Sequence, residues 1–197
     1  MFRDYPALAV ATLQPGVGYA QPTQPVPDIV TLEDSALQVL TDFQRVTAII
    51  TLPGDAVDEA HRRMIQRGVR LLLVVDQDRK VLGVITANDI LGEKPMQVIA
   101  QRGIRREEVL VRDIMTPQER LDVLKMADLR TAKVGHVVAT LKGLGRQHAL
   151  AVDVEPSGWQ TVRGMFSTTQ IARQLGVTFQ TGEVARTFAE IEALLAR

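Results

Sequence analysis

The sequence contains no cysteine, which removes disulfides, thiolate nucleophiles and every zinc site that needs sulfur ligands. Aromatic residues make up only 4% of it, so aliphatic side chains must fill whatever core forms. There is no excess of charge: 23 Lys and Arg balance 23 Asp and Glu. A neutral balance exerts no general pull on nucleic acid or an anionic membrane, and neither is expected as a partner. Apolar runs such as Leu71–Val75 fall far short of the roughly 20 residues of a membrane-spanning helix. Residues 1–19 hold a single arginine and no sustained apolar stretch, a poor signal peptide. The reading is a soluble, cytoplasmic protein. Also missing are a Gly-Lys-Ser/Thr phosphate loop, a nucleophile elbow and a His-Glu-x-x-His pair. His61 and His136 have no partner at metal-ligand spacing, so no metal site and no catalytic set is read.

What is present is an alternation. Residues 1–30 form an irregular arm, broken by Pro15, Gly16, Gly18, Pro22, Pro25 and Pro27. A short helix is expected over Ser35–Phe43, where Leu37, Leu40 and Phe43 recur at helical spacing. Thr47–Thr51 reads as a strand. Asp55 is the expected N-cap of a helix whose apolar stripe is Val57, Ala60 and Met64 and whose end is Gly68. Leu71–Val75 reads as a strand covered on both faces. Asp76–Lys80 is a hairpin turn, Val81–Thr86 the returning strand, and a helix follows from about Asn88.

The same order then recurs. Leu121–Lys125 reads as a strand. Thr131 is the expected cap of a helix with Val134, Val138 and Leu141 on its stripe. Ala149–Val152 and Val162–Ser167 are strands, Thr169–Leu175 a helix, and a last helix is expected over Glu183–Ala196. Spacing supports a duplication: Gly68 to Asp76 and Gly145 to Asp153 are both 8 positions, and Gly83 to Thr86 and Gly164 to Ser167 are both 3. Only the hairpin differs, 7 positions from Asp76 to Gly83 against 11 from Asp153 to Gly164. An internal repeat of this size implies two like units burying their apolar faces together. The divisions read from the sequence are an arm at 1–30, a first repeat at 31–105, a second at 106–178 and a terminal helix at 179–197.

Gly83-Val84-Ile85-Thr86-Ala87-Asn88-Asp89 and Gly164-Met165-Phe166-Ser167-Thr168-Thr169-Gln170 resemble the motif that ends each repeat of cystathionine-β-synthase-type (CBS) domains: Gly, apolar, any residue, Thr or Ser, two free positions, Asp. The first copy is complete; the second has Gln170 for the acid. Asp113-Ile114-Met115-Thr116 is similar to the segment that opens the second domain of such proteins. The resemblance covers about residues 28–177, and the whole looks like the stand-alone bacterial CBS-pair proteins. It implies an α/β (α+β) fold of two βαββα repeats related by a pseudo-two-fold axis, with two clefts between them. It implies a regulatory ligand rather than a cofactor, namely AMP, ADP, ATP or S-adenosylmethionine. It also implies a flat homodimer acting on an unknown regulated protein. The alternative is a scaffold whose clefts stay empty.

An adenosyl ligand needs an apolar slot, an acceptor for the ribose diol and donors for phosphate. Asp89 can accept two hydrogen bonds from the diol, and the Thr86 hydroxyl with the backbone N–H groups at the start of the following helix, around Asn88, can hold phosphate. The resemblance implies that the base lies near Thr47, Ala48 and Ile49 and near Val69, Arg70 and Leu71, with Arg70 as a charged donor. Each residue has a plainer reading too: Asp89 as a first-turn acid, Thr86 or Asn88 as an N-cap, Arg70 as a solvated cation. In the second repeat Ser167 and Gln170 occupy the corresponding positions. A neutral amide lacks charge assistance, so weak, different or no binding is expected in the cleft that depends on Gln170. Arg146 and His148 are the candidates to compensate there.

Overall fold

Leu71–Val75 is apolar at every position, and its five residues are all buried. Such a strand requires cover on both faces, and the fold supplies it with two sheets packed face to face and helices outside each. The computed structural model describes residues 29–176. The arm at 1–28 and the helix expected over Glu183–Ala196 lie outside the described residues.

The strands are β1 (Thr41–Asp42), β2 (Ile50–Thr51), β3 (Leu71–Val75), β4 (Val81–Thr86), β5 (Thr116–Pro117), β6 (Val123–Lys125), β7 (His148–Val154) and β8 (Gln160–Ser167). The helices are α1 (Val57–Arg67), α2 (Ala87–Leu91), α3 (Lys94–Arg102), α4 (Val111–Ile114), α5 (Met126–Leu129), α6 (Val134–Leu144) and α7 (Thr168–Gln174). One sheet runs β2-β3-β4-β5 and the other β1-β8-β7-β6. In each, a parallel pair (β2 with β3, β6 with β7) adjoins an antiparallel hairpin. The duplication extends to irregularities: the β3–β4 ladder bulges at Val74/Val75 and the β7–β8 ladder at Ala151/Val152, 77 positions later in each case. This is the α/β fold of two like repeats that the sequence predicts.

The division between repeats is crossed by hydrogen bonds. β1 pairs with β8 of the second repeat, and β5 pairs with β4 of the first, so each sheet is completed by a two-residue strand from the other half. The helix expected over Ser35–Phe43 is instead a single 3-10 turn at Ala36–Val39 followed by β1. Tertiary pairing overrides the helical spacing because Leu40 and Phe43 pack on opposite clusters, one on the α6 side and one between the sheets. Arg163 clamps the junction, its Nε and Nη2 donating to Asp42 Oδ1 and Oδ2 at 2.9 Å each, a bidentate pairing that fixes geometry.

Three clusters hold the layers. Val57, Ala60 and Met64 of α1 pack on Leu72 and Val74. Val134, Val137 and Leu141 of α6 pack on Ala149 and Ala151. Leu71, Leu73, Val75, Val84 and Leu150 meet between the sheets. Two expected caps are corrected. Asp55 does not cap α1: Ala56 holds that position, and the Asp55 carboxylate accepts from Thr51 Oγ1 at 2.7 Å, Leu52 N at 3.1 Å and Arg63 at 3.2 Å. Thr131 does not cap α6, whose cap position is Lys133. The strand expected over Thr47–Thr51 is reduced to β2, leaving Thr47–Ile49 as an extended lead-in.

Candidate functional site

Two clefts open between the sheets, and the starts of β3 and β7 line both of them. The smaller, about 220 Å³, includes Thr86, Asn88 and Asp89 from the first repeat and Arg146, Gln147 and His148 from the second. The larger, about 430 Å³, is walled by Thr47, Ala48, Ile49, Val69, Arg70 and Leu71 of the first repeat and closed by Ser167, Thr169, Gln170 and Arg173 of the second. Its volume lies within the range of small-molecule sites, roughly 300–1,000 Å³; that of the smaller cleft lies below it.

This placement corrects the grouping read from the sequence. Asp89 and Thr86 do not share a cleft with the Thr47–Ile49 and Val69–Arg70 segments. β2 and β4 flank β3 in one sheet, so the lead-in to β2 and the helix after β4 stand on either side of Leu71, and each cleft takes its apolar slot from one repeat and its motif from the other. Arg146 likewise does not stand beside Gln170: it lines the smaller cleft, 4.0 Å from Asp122. Leu71 and His148, 77 positions apart, line both clefts.

The motif residues are already engaged. Thr86 is the N-cap of α2 in a capping box: its hydroxyl accepts from Asp89 N, while Asp89 Oδ2 accepts from Thr86 N at 2.8 Å and Thr86 Oγ1 at 2.6 Å. Asp89 Oδ1 accepts from Lys94 Nζ at 2.5 Å. The carboxylate serves its own helix start, satisfying donors that would otherwise lack partners. Gln170 Oε1 accepts from Thr41 Oγ1 at 2.8 Å, and its amide donates to Gln174 Oε1 at 3.4 Å, a weak contact that leaves the amide donors available. Ser167 makes no side-chain cap to α7, so its hydroxyl is not committed as that of Thr86 is.

A polar chain joins the clefts. Arg70 Nη2 donates to Asn88 Oδ1 at 3.1 Å, and Asn88 Nδ2 donates to Gln147 Oε1 at 3.1 Å. Beside it, burial pushes His148 down to about 4, the nearby Arg70 guanidinium adds to this and the Asp89 carboxylate opposes it; the ring is therefore neutral at pH 7. Gln147, Arg67 and Arg173 were not singled out by sequence. Gln147 was findable, since it stands 77 positions after Arg70 as Gly145 stands after Gly68. Arg173 lies one helical turn beyond Gln170.

Residues 17–95 match the CBS domain family. An uncharacterized protein of Methanocaldococcus jannaschii is 30% identical over 102 residues, a match covering 47% of this chain and 36% of that protein's length. Among solved structures, an uncharacterized conserved protein from Pyrococcus horikoshii superposes with a TM-score of 0.54 at 20% identity, over 78% of this chain and all of that one. A conserved CBS domain protein of unknown function from Thermoplasma acidophilum does so with a TM-score of 0.50 at 18% identity, over 80% of this chain and 77% of its own. A putative signal-transduction protein with CBS domains from Burkholderia ambifaria gives 0.51 at 18%, over 69% and 88%. At these identities the structural likeness speaks for the fold.

Proposed function

We propose that the chain is a tandem CBS-domain protein, a non-catalytic regulatory module that binds an adenosyl ligand in the larger of its two clefts. The observation that carries this reading is the make-up of that cleft. One wall is apolar (Val46, Ala48, Ile49, Val69, Leu73 and Met165) and the facing end is polar, with Ser167, Thr169, Gln170 and arginines. An adenine ring needs the first and a ribose phosphate the second. The lead-in at Thr47–Ile49 lies outside any strand, which leaves the Thr47 and Ala48 peptide groups to read the edge of a base, and the uncommitted Ser167 hydroxyl and Gln170 amide are available to sugar or phosphate oxygens. Ligand binding would act by favouring one arrangement of the two sheets, which a regulated partner then reads.

Isothermal calorimetry with AMP, ATP and S-adenosylmethionine tests this reading. At least one is expected to bind the full chain, and Gln170→Ala to weaken it several-fold. Loss of binding in Asp89→Ala with none in Gln170→Ala would move the ligand to the smaller cleft and overturn the placement.

A second reading, a homodimeric scaffold whose clefts bind no nucleotide, is favoured by one observation. The Asp89 carboxylate and Gln170 Oε1 both accept hydrogen bonds from the protein itself. Homodimerisation is part of both readings. Ile65, Leu91 and Met96 are 68%, 63% and 62% exposed on the adjoining helices α1, α2 and α3, an apolar surface that a second copy would cover.

A further inference from the structure

We propose that the larger cleft selects phosphorylated adenosyl ligands and rejects sulfonium ones. The inference rests on the reading that this cleft takes an adenosyl group, and adds which charge that group must carry. The two clefts differ in charge although the repeats that build them are alike. The smaller is lined by two arginines, Arg120 and Arg146, and two carboxylates, Asp89 and Asp122, which cancel. The larger is lined by three arginines, Arg67, Arg70 and Arg173, and no carboxylate at all. The exchange of acid for amide between position 89 and position 170 contributes to that difference.

The arginines are open to a ligand. Arg67 and Arg173 are exposed and have no ion pair or side-chain hydrogen bond among the described residues. Arg70 spends one donor on Asn88 and keeps the rest of its fork. Guanidinium groups match phosphate oxygens bidentately, and three of them around one cavity set a positive potential that an anion relieves. His148, which also lines the cavity, is neutral at pH 7 and does not alter the balance. S-adenosylmethionine carries a net positive charge: its sulfonium and ammonium are repelled, and its single carboxylate can satisfy at most one of the three guanidinium groups. Gln170, being neutral, receives the ribose diol of every adenosyl ligand alike and does not discriminate among them. Adenosine has neither penalty nor gain.

Calorimetry of the full chain with ATP, AMP, adenosine and S-adenosylmethionine reads the order directly. Affinity is expected to rise from adenosine to AMP to ATP, by roughly tenfold or more overall, with the sulfonium weakest. The advantage of ATP is expected to shrink as salt is raised, because exposed charges are screened within about 10 Å at 0.1 M. Arg173→Gln is expected to lower ATP affinity and leave adenosine unchanged. Gln170→Asp is expected to narrow the gap between ATP and the sulfonium. Adenosine or S-adenosylmethionine binding as tightly as ATP would overturn charge selection and leave the adenosyl reading standing. Failure of all four to bind would overturn that reading, and this inference with it.

Discussion

At the scale of single residues, the contrast between repeats lies in a few side chains at duplicated positions. His148 occupies the place that Leu71 occupies 77 residues earlier, and both face the two clefts. Leucine is at home there; histidine must stay neutral. Burial and Arg70 hold its folded value near 4, with Asp89 opposing, whereas an unfolded histidine titrates near 6.5. As the pH falls from about 6.5 to about 4, the unfolded chain takes up a proton that the folded chain refuses. The contribution of neutral His148 is therefore complete above about pH 6.5 and lost on the way down to about 4, by at most about 3 kcal/mol. The carboxylates held below their ordinary range, Asp42 through Arg163 and Asp113 against its own burial through Leu110 N–H and Arg102, weaken the fold only at lower pH. His148→Leu is expected to flatten the stability profile between pH 6.5 and 4 in urea unfolding. An unchanged slope in that variant would mean the ring is not the group responsible.

At the scale of elements, the motif glycines are structural before they are anything else. A Cβ on Gly83 would stand 2.3 Å from Thr116 O, and one on Gly164 would stand 2.5 Å from Thr41 O. These carbonyls belong to β5 and β1, the two short strands that cross from one half to the other. The glycine of the motif is thus what lets the crossing strand pair with β4 or β8. Either Gly83→Ala or Gly164→Ala is expected to destabilise the protein by about 1–3 kcal/mol, the usual range for forcing an atom into packed structure. Equilibrium urea unfolding checks it, and the two substitutions are expected to behave alike because the contacts are duplicates. A neutral effect in both would show that the crossing strands contribute little.

At the scale of the whole molecule, the two sheets share one interior while facing their own helices, so neither repeat is complete without strands from the other. Ile65, Leu91 and Met96 leave apolar surface on the outer helices, and a second copy is its proposed cover. Sedimentation at micromolar concentration is expected to give a dimer, and Ile65→Glu with Leu91→Glu to shift it to monomer. A parent chain that sediments only as monomer would contradict the homodimer. Among the described residues no helix is long and apolar enough to cross a membrane.

Much of this was legible in the sequence, and for local reasons. The five-residue apolar run Leu71–Val75 between Gly68 and Gly83 specifies β3, because a strand's cover is written in its own residues. Gly68 and Gly145, both in the left-handed region at φ 64° and 61°, mark helix ends that only glycine adopts at no steric cost. The duplication itself followed from spacing. Tertiary structure decided the rest. Which repeat donates β1 and β5, which cleft receives Asp89, and whether Thr86 is free or spent on a cap all depend on residues far apart in the chain. A motif names its side chains but not the surface they face. The strand exchange sets the apolar slot of one repeat opposite the motif of the other, so the larger cleft is closed by Gln170 and lined by three arginines rather than holding the aspartate that the sequence pointed to.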